Sequence, residues 1–104
     1  MTVRAWLRAR TPDAPQRLID RIEAALGARA DVDQSDAAAH CVDAAESLLR
    51  DLMARPSAGR EAALDLLAVD ALVTYAFEAW SENPDVLPGR AAEVMTRLAA
   101  TVGA

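Results

Sequence analysis

The stretch from Arg60 to about Glu82 limits most what this chain can become. On a helical wheel Leu64, Leu66, Leu67, Ala68, Val69, Ala71, Leu72, Val73, Tyr75, Ala76, Phe77 and Trp80 cover most of the circumference. Only Asp70, Thr74, Glu78 and Ser81 remain as a narrow polar stripe in its central and final turns. A helix that is apolar nearly all round is either central in its domain or part of an oligomer interface. The composition agrees with a helical reading, because 25 of the 104 residues are alanine and only 4% are aromatic. The expected fold class is all-α, in one domain over residues 1–104, since a single core spans a chain of this size.

The other segments fit around that helix. Val3, Trp6 and Leu7 lie at i, i+3, i+4, so residues 1–10 read as a short helical segment docked on the body. Thr11-Pro12-Asp13 has the form of an N-cap, a first-turn proline and a first-turn acid, which opens a helix over 11–29. Leu18, Ile22, Ala25 and Leu26 share one face of it, and Gly27 is its C-terminal signal. The polar run Asp31–Asp36 opens a helix over about 35–55 that Pro56 stops. On this helix Ala37, Cys41, Ala44, Ala45, Leu48, Leu49, Leu52 and Met53 oppose Asp36, His40, Asp43, Glu46, Ser47, Arg50 and Asp51. Ser57-Ala58-Gly59 leads into the helix over 60–82. Asn83-Pro84-Asp85 then leads into a last helix over 88–102, with Ala91, Val94, Met95, Leu98, Ala99 and Val102 on one face. The sum is a four-helix bundle-like domain with a short N-terminal helical segment, arranged around residues 60–82.

Charge and cysteine narrow the partners. The net charge is −5, every basic residue is Arg, and the charge is unevenly spread. Residues 1–30 carry six Arg against Asp13, Asp20 and Glu23, while the rest carry five Arg against thirteen acids. An acidic domain repels phosphate backbones, so no nucleic-acid partner is expected. Arg4, Arg8 and Arg10 beside Trp6 are too few for strong membrane attachment, and salt bridges to the protein's own acids are the simpler use for them. No uncharged stretch approaches a membrane span, no signal peptide is apparent, and the single Cys41 suits a reducing compartment, so the expected location is cytoplasmic.

Three constellations could carry chemistry. Asp36, His40 and Asp43 share one helix face at i, i+4, i+7, a spacing that can hold a transition metal. They sit in the middle of the polar arc, which predicts a solvent-exposed His40 and no metal site. The Ala39-His40 dipeptide on a long helix of a small acidic domain resembles histidine phosphotransfer domains. That family continues with Lys and Gly after the histidine, whereas this chain has Asp43 and Ala44, and an acid there repels a phosphoryl group. Asp70, Thr74 and Glu78 form the second set. Facing inward, two carboxylates in low dielectric could act as acid and base; facing outward, they are the solvated seam of the helix, which is the expectation. The run from Asp70 to Glu78 looks like a helix of all-α trans-prenyl diphosphate synthases. Those enzymes need paired aspartate-rich motifs, and here Asp31, Asp33 and Asp36 give one loose cluster with no second. Cys41 lies on the apolar side of its helix and reads as a buried hydrophobe. No phosphate-binding loop, dinucleotide fingerprint, zinc-protease motif or nucleophile elbow occurs, so no catalytic or cofactor-binding residues are assigned and no cofactor is expected.

The functional expectation is therefore a non-enzymatic helical interaction or accessory module that self-associates, with a homodimer or another protein as its partner. Trp6, Leu66, Val69, Val73, Phe77 and Trp80 are the interface candidates, and Leu66, Leu72, Val73 and Phe77 are expected to be buried within one chain or between two. The alternative is a metal- or phosphoryl-handling bundle that uses His40 with Asp36 and Asp43, or Asp70 with Glu78.

Overall fold

The structure, a computed structural model, describes residues 1–55 and 59–103; the Pro56 stop and the Ser57–Ala58 connection lie outside the described residues. Within them five α-helices follow in order: α1 (Val3–Arg10), α2 (Gln16–Leu26), α3 (Ala37–Ala54), α4 (Arg60–Ser81) and α5 (Leu87–Gly103). Short 3₁₀ turns at Gly27–Asp31 and Gln34–Asp36 join α2 to α3, and no strand occurs among the described residues. The domain is an all-α bundle.

Main-chain pairing pins α1 before it begins. The Val3 N–H donates to the Val32 carbonyl at 3.0 Å, and the Gln34 N–H donates to the Met1 carbonyl at 2.9 Å. The Thr2 hydroxyl then caps the helix by accepting from the Ala5 N–H at 3.1 Å. Thr11 corrects an expectation. It closes α1 rather than opening α2: its buried hydroxyl donates to the Leu7 carbonyl at 3.2 Å, which satisfies an acceptor of the last turn. Pro15 disfavours helical backbone at Ala14, so α2 starts only at Gln16. It ends at Gly27, whose φ of 55° and ψ of −129° would strain any side chain.

The centre of the domain is α3, not the residue 60–82 helix around which the sequence pattern arranged the bundle. Helix α3 packs against α1, α2, α4 and α5. It buries Ala37, Ala38, Cys41, Val42, Ala44, Ala45, Leu48 and Leu49. The physical reason is size. Alanine contributes little to a hydrophobic wheel, but it lets neighbouring axes come close enough to enclose a helix on several sides. Helix α4 packs against α2, α3 and α5, and buries only Ala68, Val69, Leu72 and Ala76. Val3, Leu7, Ile22, Val42, Leu72 and Val94 are the larger side chains that are sealed completely. Met53 on α3, and Met95 and Val102 on α5, were assigned to inward faces and are exposed instead. Helix α5 docks through Val94 and Leu98, so only part of its apolar face is covered.

Candidate functional site

The constellations that the sequence offers for chemistry do not converge into a site among the described residues. Asp36 is exposed in the 3₁₀ turn before α3. Asp43 is held by two arginines, accepting from Arg29 Nη1 at 3.1 Å and from Arg97 Nη2 at 2.8 Å. His40 is half-buried rather than solvent-exposed, and its Nδ1 is enclosed without a hydrogen-bond partner. Helix α5 meets part of the polar arc of α3: Arg97 bonds Asp43 and also donates from Nε to Glu46 at 2.5 Å. Among the described residues no three His, Cys, Asp or Glu side chains come together as a metal site would need.

Asp70, Thr74 and Glu78 are all exposed, so the stripe is a solvated seam. Thr74 and Glu78 edge a shallow groove with Phe77, Ser81, Leu87 and Ala91, and Asp70 does not line it. Cys41 is fully buried, and burial pushes its thiol up to about 12, which leaves it without a reactive thiolate.

The N-terminal arginines meet the protein's own acids. Arg4 bonds Glu23 at 2.7 Å and pairs with Asp31, while Arg8 reaches Glu23 at 3.1 Å. Arg10 pairs with Glu82 at 3.2 Å and lies 4.4 Å over the Trp6 ring. Trp6 and Trp80 line one cavity together with Arg10 and Arg90, so the N-terminal segment covers the C-terminal end of α4. Trp80 also packs beside Phe77, with ring centroids 6.1 Å apart.

At the other end of α4 the outward side is left uncovered. Of the interface candidates, Val69 is buried in its own chain, and Trp6, Val73, Phe77 and Trp80 are half-buried against the core. Leu66, expected to be buried, is 54% exposed in the single chain, and Leu67 beside it is 56% exposed. Neither has a neighbouring helix outside it, because α2 lies to one side of this turn. Pro15, Arg17 and Leu18 from the start of α2 join Arg60, Ala63, Leu64 and Leu67 of α4 in an apolar groove with an arginine contributed by each helix.

Leu67 and Arg60 were not among the interface candidates, although the sequence holds a signal for both. Extending the Asp70–Thr74–Glu78 stripe backwards by three, seven and ten residues from Asp70 reaches Leu67, Ala63 and Arg60. The outward face therefore runs the full length of α4, basic at its start, apolar in its first half and acidic beyond. Arg17, Arg55 and Arg60 are the arginines without an ion pair among the described residues. Among those residues no helix is long and apolar enough to cross a membrane. Comparison of the chain with protein-family models, with curated proteins and with solved structures finds no match.

Proposed function

We propose that this protein is a non-enzymatic helical interaction module that self-associates, using the N-terminal half of α4 as its contact face. One observation carries the reading: Leu66 and Leu67 stand side by side in solvent on a helix whose other large apolar residues are half-buried or buried. Adjacent exposed leucines, continuous with the Leu18–Leu64 groove, form the kind of patch that a partner removes from water. Among the described residues Asp36, His40 and Asp43 do not come together as a metal site would need, and Asp70 lies outside the groove that Glu78 edges.

Sedimentation equilibrium over a micromolar concentration series tests this. The wild-type mass should rise with concentration, and Leu66→Glu combined with Leu67→Glu should hold it at the monomer value with unchanged helical circular dichroism. A wild-type chain that stays monomeric throughout would remove self-association.

A further inference from the structure

Resting on that self-association, we propose the geometry of the pair: two copies pack α4 on α4 antiparallel about a two-fold axis level with residue 65. Arg60 of each copy then meets Asp70 of the other.

The outward face of α4 is self-complementary in this orientation only. It presents Arg60, Ala63, Leu67, Asp70, Thr74 and Glu78, all exposed, with the cation at the helix start and the carboxylates toward its end. Parallel pairing would stack Arg60 on Arg60 and Asp70 on Asp70. Antiparallel pairing sets opposite charges together, and such flanking charges select the orientation of packed helices.

The register follows from the numbering. Residues of one helix face that meet across an antiparallel two-fold have positions with a constant sum, and 60 with 70 and 63 with 67 share one sum. A single register therefore places Arg60 opposite Asp70 and the small Ala63 opposite the large Leu67, with Leu64 and Leu66 on the two flanks of the contact. The same patch serves both copies, as closed two-fold association requires.

The charges are free to be used this way. Neither Arg60 nor Asp70 makes an ion pair or a side-chain hydrogen bond with another described residue, whereas Arg4, Arg8, Arg10, Arg21, Arg29, Arg50, Arg90 and Arg97 each have a carboxylate. In a chain with 16 acids for 11 arginines, an arginine left without a carboxylate beside an apolar patch matches a carboxylate brought by the second copy. Arg17, on the flank of the same groove, adds a second cation near that contact.

The test is a charge swap in two proteins. Arg60→Glu alone and Asp70→Arg alone each put like charges at both symmetry-related contacts, and each should weaken association by about tenfold or more. An equimolar mixture of the two variants should recover wild-type association, because the mixed pair has opposite charges at both contacts. Circular dichroism melts check that both variants fold, as expected for exposed residues without intrachain partners. Association that survives both reversals, or a mixture no tighter than its components, would overturn this register while self-association stood. A wild-type monomer at every concentration would overturn both; if that monomer bound a synthetic Glu/Leu amphipathic helix, the face would belong to an acidic partner of another kind.

Discussion

Arg97 on α5 donates to the Asp43 carboxylate on α3 at 2.8 Å, so the seam between these helices is polar where a bundle seam is ordinarily apolar. The same guanidinium reaches Glu46 on the next turn, and both carboxylates keep Arg97 charged. Arg97→Met keeps the apolar stem and removes both bonds. The Arg97 side chain is 33% exposed, so solvent screens the pair and the loss should be about 1 kcal/mol, read from the urea midpoint. High salt should shrink the difference from wild type. A variant as stable as wild type would mean that Val94 and Leu98 hold α5 unaided.

His40 lies along the same arc with Nδ1 enclosed and unbonded. An enclosed polar atom without a partner opposes folding, so replacing the ring by an apolar group of similar reach is nearly neutral or stabilising. His40→Leu should change stability by no more than about 1 kcal/mol in chemical denaturation. A loss above about 2 kcal/mol would mean that the imidazole makes a bond that holds the fold.

These two residues mark the limit of what the sequence discloses. The all-α class, the inward Val3 and Leu7 of α1, and the Ile22–Leu26 face of α2 follow from the spacing of residues within one segment. Which helix covers which face does not. Asp43 looks solvated until Arg97 of α5 is laid beside it, and Ala44 and Ala45 look unremarkable until four helices close around α3. Thr11 misleads for a related reason: the groups that cap a helix start and close a helix end are chemically alike, and Thr11 serves the end. On α4 the polar stripe was legible, but its extension through Leu67 to Arg60 was masked by the leucines around it.

Cys41 supplies a pH dependence. Burial raises its thiol from the ordinary 9.0 to about 12, so folding favours the neutral form. That contribution is fully present below pH 9 and is lost as pH rises from there toward 12. Tyr75, also raised by burial and then by Glu78, acts in the same direction. Urea midpoints should therefore fall on the alkaline side, and Cys41→Ala should flatten part of that fall. Thiol labelling at pH 8 should be slow in the native chain and fast in urea; rapid native labelling would contradict the burial.

Glu23 binds α1 to α2, since its carboxylate accepts from Arg4 at 2.7 Å and from Arg8 at 3.1 Å. Its side chain is only 13% exposed, so the bonds are better sheltered than a surface pair. Glu23→Gln should cost about 1–3 kcal/mol, in line with hydrogen bonds to charged groups. Proteolysis should then cut first in the α1–α2 connection. A neutral result would assign the docking of α1 to Val3, Leu7 and the Val32–Gln34 pairing alone.

The two faces of α4 should separate stability from association. Leu72 is completely buried, and Leu72→Ala should cost about 2–5 kcal/mol, the range for a truncated core leucine whose cavity cannot fully collapse. Phe77 is only half-buried beside Trp80, so Phe77→Ala should cost roughly 2 kcal/mol, below the range for a sealed aromatic. Leu66→Ala removes a side chain already in solvent, and the dilute chain should change by no more than about 0.5 kcal/mol. Its effect should appear instead at high concentration, as weaker self-association with an unchanged monomer melt. Measuring all three variants by urea denaturation at submicromolar chain, and again by sedimentation at tens of micromolar, places them on two axes. Leu72→Ala should move along the first and Leu66→Ala along the second. If Leu66→Ala destabilised the dilute monomer as much as Leu72→Ala, the N-terminal half of α4 would be packed against its own chain, and the contact face proposed for it would not exist.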